Sequence, residues 1–213
     1  MAVRCQNWRV LCASFLTGVF VMSMPFMEEG KSQFDAVAQQ FGLSCVSANE
    51  RSLRYESDAV FLSVNFDNGR SYELGVEIGQ KNAGQPERPF SLAEILRLSE
   101  LADTASIDGM MVHAANQLHD GLARLATLTT QYAADFLKGD TRSFMRLAQL
   151  REQESMAFAL QRDLRTAISR AESAWAVKDY KALVAALEPM EPYLSVAERK
   201  RLNYSRKQLD PSH

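Results

Sequence analysis

Apolar positions along the chain follow two periods. They alternate between Val60 and Gly79, and on either side of that stretch they recur every three or four residues. Phe34, Val37, Ala38 and Phe41 mark one helical face, and Gly42 ends it, so a short amphipathic helix is predicted over about 31–41. Strand-like segments follow at 43–48 and 52–56. Two clearer ones come next, at 60–66 and 70–79, separated by Asp67-Asn68-Gly69.

Burial argues the register of that hairpin. A two-residue Asn-Gly turn sets Phe66 against Ser71 and Val64 against Glu73, apolar against polar. A three-residue loop shifts the pairing by one. Val64 then faces Tyr72, Leu62 faces Leu74, Val60 faces Val76, and one face is continuously apolar. A one-residue slip carries every side chain across the sheet, so burial selects the second arrangement. Gly69 is then expected as the left-handed residue of a G1 bulge. On the other face Ser63, Asn65, Ser71 and Glu73 gather, and Phe61 covers Gly75.

A polar loop over 81–89 leads to Ser91-Leu92-Ala93-Glu94, a capping box. Phe90 and Ile95 fall at the positions of a hydrophobic staple, and Leu98 and Leu101 extend the stripe. From about 107 the pattern is helical. Met111, Ala114, Leu118, Leu125, Tyr132 and Phe136 line one face as far as Gly139, which suits a helix C′ position, and Asp140, which suits the next N-cap. A second long helix is predicted over about 141–177, its later stripe being Met156, Leu160, Leu164, Ile168, Ala171 and Trp175. Two helices of about thirty residues joined by Gly-Asp predict an antiparallel hairpin. Its stripe is expected to pack on the sheet or on the terminal helices, with a projecting hairpin used for dimerisation as the alternative. A helix over about 179–188, with Tyr180 inward, the turn residues Pro189 and Pro192, and a second capping box at Ser195-Val196-Ala197-Glu198 complete the chain. The last helix pair resembles one tetratricopeptide-type pair over about thirty-five residues. No second copy follows at a fixed period, so it assigns no family.

The predicted fold is therefore α+β. It is an N-terminal helix plus a small antiparallel β-sheet, followed by a mainly α-helical C-terminal half with a long antiparallel helical hairpin. The α+β unit spans 27–104, and the helical region 105–213 is expected to pack with it as one body. Residues 1–26 are set apart. Arg4 and Arg9 precede an uncharged run over 10–27, which reads as a misassigned start before Met22, Met24 or Met27, a membrane anchor, or a cleaved signal. A cytoplasmic location follows from the first reading, and membrane anchoring or export from the others.

Composition narrows the function. A hydrophobic share of 46% with 23% charged residues fits a globular chain, and a net charge of −2 argues against a nucleic-acid partner. Cys5, Cys12 and Cys45 are odd in number and lack Cys-x-x-Cys spacing, so no disulfide framework is expected, and Cys45 reads as a small buried residue. Charge is uneven. Residues 140–213 carry 13 basic and 10 acidic side chains, net +3, against 11 and 16 elsewhere, net −5. Arg199, Lys200, Arg201, Arg206 and Lys207 supply much of the excess. They suit an acidic partner surface or phosphate, or simply complement a helix dipole.

Catalytic signatures are sparse. Gly30-Lys31-Ser32 ends like a phosphate-binding loop, but Pro25 stands where the first glycine is needed. His113 and His119 lie six apart on the predicted helix, so they diverge by about 120°. Asn116 and Met110 precede them where a carboxylate-bridged metal bundle needs glutamate. No metal or cofactor is expected. The residues point to a non-catalytic protein that binds another protein or itself, of an interaction, regulatory or immunity-like kind. The alternative is an enzyme with a composite site between sheet and helices, using Glu73, Glu77, His113 and Asp120. A third reading is an accessory protein anchored through 10–27.

Overall fold

The computed structural model describes residues 25–81, 87–99, 107 and 109–210. The apolar run over 10–24 and the Leu101 position of the stripe that follows Ser91 lie outside the described residues. Among the described residues no helix is long and apolar enough to cross a membrane. The architecture is the expected one: a helix, a small antiparallel sheet, then a mostly helical C-terminal half.

Helix α1 (Phe26–Gln40) starts five residues earlier than its apolar spacing suggested. Phe26 and Gly30 extend the buried face of Phe34, Val37 and Ala38 by two turns, and Glu28 and Glu29 in the first turn suit the positive end of the helix. The sheet runs β1 (Ser44–Asn49), β2 (Ser52–Glu56), β3 (Val60–Phe66), β4 (Glu73–Gln80), β5 (Phe90–Ser91), with β6 (Met110–Met111) also paired to β4. All six residues of β1 are exposed at the sheet edge, Cys45 among them, so Cys45 is not the buried residue expected.

The hairpin keeps the expected faces but not the expected pairs. Val64 faces Val76, Leu62 faces Ile78 and Phe66 faces Leu74. The connection is six residues, 67–72, so β4 begins at Glu73 rather than at 70. The Asp67 carboxylate accepts from the amides of Gly69, Arg70 and Ser71, at 3.2–3.3 Å. Local desolvation raises its carboxyl, but the Ser71 hydroxyl at 3.1 Å and these amides together hold it below the usual range. Tyr72, at φ 56°, takes the left-handed conformation expected of Gly69.

Phe61 covers a glycine, but it is Gly79 and not Gly75. A Cβ on Gly79 would stand 2.5 Å from Phe61 Cζ. The Arg54 guanidinium lies 4.0 Å over that ring, held by Glu56 and Glu87 at 2.7 and 2.6 Å. The ring is thus held between a close backbone and a guanidinium that ion pairs fix in place. Gly79→Ala is expected to cost about 1–3 kcal/mol by overpacking. Urea denaturation checks this, and Phe61→Leu in the same chain should recover part of the loss.

Helix α2 (Leu92–Leu98) carries both bonds of its capping box: Glu94 N–H donates to Ser91 Oγ at 3.2 Å and Ser91 N–H to Glu94 at 2.8 Å. The first long helix begins later than expected. Residues 110–112 are extended, β6 pairs with β4, and Val112 N–H donates to Tyr72 O at 2.9 Å. Met111 is accordingly exposed, not part of a buried helical stripe. Helix α3 (Ala115–Tyr132) packs on α1 and β4, and a break at Ala133 separates it from the short α4 (Ala134–Leu137). Gly139 and Asp140 serve as expected, with Asp140 accepting from Ser143 N–H, and α5 (Thr141–Ala176) follows.

The apolar stripes of the long helices find separate partners. The main core joins α1, one face of the sheet, α2, α3, α4 and the first turns of α5 through Phe144 and Leu147. A second core joins Ala171 and Ala174 of α5 to α6 (Tyr180–Leu187), the 3₁₀ turn Glu188–Tyr193 and α7 (Val196–Leu209). Between them residues 152–158 of α5 are exposed all round. Met156, expected to open the buried stripe, is 62% exposed, and Phe158 is 63% exposed. Just before this stretch Arg151 ties α5 to α2. Its Nε and Nη2 donate to the two Glu94 oxygens at 2.7 Å, Nη2 also reaches Pro89 O at 2.8 Å, and the guanidinium stands 4.0 Å over Phe90.

Candidate functional site

Glu73 and Glu77 meet in one cleft of about 320 Å³ beside β4, which Asn65, Asp67 and Ser91 also line. The alternation that sets these side chains on one face is the expected one. Asn65 donates to Glu77 at 3.1 Å, and the Ser71 hydroxyl donates to Glu73 at 2.9 Å. His113 and Asp120 do not line this cleft. His113 precedes α3 instead of lying on it, is exposed, and rests its ring 5.3 Å from that of Tyr72. Asp120 is exposed on α3. His119 Nδ1 lies 2.6 Å from Glu29. Among the described residues no three His, Cys, Asp or Glu side chains gather as metal ligands would. Among the described residues the cleft is lined by three hydrogen-bonded carboxylates, Asp67, Glu73 and Glu77, and by no histidine, lysine or arginine.

The five basic candidates divide. Arg199 donates twice to Leu194 O, at 3.1 and 2.9 Å, and ties α7 to the preceding turn. Arg206 donates to Glu191 at 2.9 and 2.8 Å and to Glu188 at 2.7 Å. These carboxylates push Arg206 above its ordinary value, and Arg206 in turn holds Glu191 below the usual carboxylate range. Both arginines are thus engaged within the terminal helices. Lys207 is exposed near the end of α7. Lys200 and Arg201 belong to something else.

They line a pocket of about 600 Å³ together with Trp175, Lys178, Tyr180 and Tyr204. Trp175 ends α5, Tyr180 opens α6, and Lys200, Arg201 and Tyr204 share one turn of α7, so three helices converge. The three rings pack edge to face, with Trp175 at 6.2 Å from Tyr180 and 5.6 Å from Tyr204, and the two tyrosines 5.9 Å apart. Arg201 stands 6.0 Å over the Trp175 ring. Trp175 is 36% and Tyr204 46% exposed, so the cluster is a surface feature. Local desolvation and then the Tyr204 hydroxyl push the Tyr180 phenol above its ordinary value, so it stays a neutral donor. Among the described residues no carboxylate lines the pocket and none pairs with Lys178, Lys200 or Arg201.

Lys178 holds its place at a conformational cost. Helices α1, α4 and α5 end in the same double hydrogen bond. Gly42 and Leu43 donate to Gln39 O and Ala38 O, Gly139 and Asp140 to Phe136 O and Asp135 O, and Lys178 and Asp179 to Trp175 O and Ala174 O. The motif requires a left-handed residue, at φ 71° in Gly42, 80° in Gly139 and 58° in Lys178. Two of the three use glycine, and the third puts a lysine there, on the rim of the pocket. Lys178→Gly is expected to raise the unfolding free energy by about 1 kcal/mol, read as a higher denaturant midpoint.

Compared with known proteins, the chain matches no family model, no curated protein and no solved structure.

Proposed function

We propose that this is a non-catalytic protein that binds another protein through its terminal helices. The observation that supports this reading is the Trp175–Tyr180–Tyr204 cluster, exposed and bordered by Lys178, Lys200 and Arg201 with no acidic side chain in its lining. Tryptophan, tyrosine and arginine are the residues that dominate binding energy at protein interfaces. The rings already hold one another in place, so little side-chain freedom is lost on binding. The excess positive charge of residues 140–213 favours encounter with an acidic surface.

Native co-purification of the full chain with a C-terminal tag tests the reading. A single stoichiometric protein is expected with the wild type, and its loss with Lys200→Glu/Arg201→Glu at unchanged helix content. Recovery of the bait alone overturns it.

A further inference from the structure

We infer that the occupant of the Trp175 pocket is an extended acidic segment of the partner, with an apolar side chain set between its carboxylates. This rests on the protein-binding reading and gives the partner its chemistry. The pocket, about 600 Å³, has room for one large side chain and its neighbours. Its three rings form an apolar floor. Its cations come from two elements: Lys178 from the α5–α6 turn, Lys200 and Arg201 from α7. An inserted apolar side chain therefore meets positive charge from two directions, and the sequence that complements this is acidic, apolar, acidic.

The helix termini argue against phosphate. Phosphate sites draw on free backbone amides at a helix N-terminus. Here Asp179 already accepts the Ala182 amide at 2.9 Å, and Ser195 accepts the Glu198 amide at 3.3 Å. One amide at the N-terminus of each of α6 and α7 is thus taken by a side-chain oxygen of the chain's own cap. The pocket's positive charge is all on side chains, long and separately placed, which suits carboxylates spread along a peptide. Lys178 adds weight. A glycine would serve the turn better, and the lysine retained there supplies a cation to the pocket.

The test uses the full chain carrying Trp8→Phe, which leaves Trp175 as its one tryptophan. The probe is a synthetic peptide, Glu-Asp-Glu-Phe-Glu-Asp-Glu, titrated while Trp175 fluorescence is read. Saturable one-to-one binding that weakens with salt is expected, with none for the Gln-Asn-Gln-Phe-Gln-Asn-Gln counterpart. Lys178→Gly should weaken binding about threefold to fivefold, as for a partly exposed ion pair, while the denaturant midpoint rises, so a loss of fold cannot account for it. Lys200→Glu/Arg201→Glu should abolish it. The inference is overturned if the peptide gives no saturable change, if the charge reversals leave its binding intact, or if inorganic phosphate, ADP or phosphatidylserine vesicles reproduce the response and displace it. A co-purified partner lost with the pocket variants while the peptide fails overturns this inference alone. Absence of any partner overturns the reading beneath it.

Discussion

Phe26→Ala lowers the stability of the main core by about 3–5 kcal/mol, the cost of removing a fully buried aromatic ring. Phe26 is 0% exposed and its ring lies 5.6 Å from that of Phe66, the last residue of β3. It sits in the first turn of α1, where no preceding helical turn holds it, so its contribution comes from packing alone. A chain begun at Met27 lacks the same ring and should show at least this loss, whereas one begun at Met24 keeps it. Urea denaturation followed by far-UV circular dichroism reads the effect. A change under about 1 kcal/mol would mean that the surrounding side chains close the space.

Arg151→Ala is expected to cost about 2–3 kcal/mol at neutral pH. The variant removes a two-pronged carboxylate pair, a bond to Pro89 O and the cover of Phe90, and leaves Glu94 half-buried without its cation. The partial exposure of Arg151 keeps the figure below that of a fully buried pair. Burial pushes the Glu94 carboxyl up, but Arg151 and the Ser91 amide more than reverse this, and the net shift is downward. A depressed carboxyl contributes stability above its unfolded-state value of about 4.3, and that contribution disappears as pH falls through the folded value. The gap in urea midpoint between wild type and Arg151→Ala should therefore be wide at pH 7 and narrow below pH 4. An equal gap at both would show that the guanidinium acts through packing.

Local chemistry was the most legible part of the fold. Both capping boxes and the Gly139-Asp140 turn depend on residues within four positions of one another, and each forms as its spacing implies. The β3–β4 pairing shows the limit of burial as a guide. A period of two separates odd from even slips and nothing finer, so pairing Val64 with Tyr72 or with Val76 buries the same face. Asp67 decides between them, through three backbone amides that a short turn would not present. Cys45 and Met111 failed for a different reason. Exposure at a sheet edge depends on which strand is outermost, and residue type does not carry that. The aromatic pocket was hidden for a related cause. Trp175 and Tyr180 each read as core positions on their own helices, and Tyr204 lies far along the chain from both. The one local trace was Lys200, Arg201 and Tyr204 within a single turn of α7, which was read only as charge.

The bare stretch of α5 bears on cooperativity. The helix is 36 residues long, about 54 Å, and it joins two apolar clusters through seven exposed residues, of which Glu154 pairs with Arg97 of α2 at 3.3 Å. No apolar side chain of this stretch belongs to either cluster, so the helix backbone carries the coupling between the two ends. Melting at one end should therefore leave the other standing. In the chain carrying Trp8→Phe, Trp175 fluorescence will trace the terminal helices and circular dichroism the whole chain, so the two curves should not superimpose, and a single unfolding free energy will not describe the circular dichroism curve.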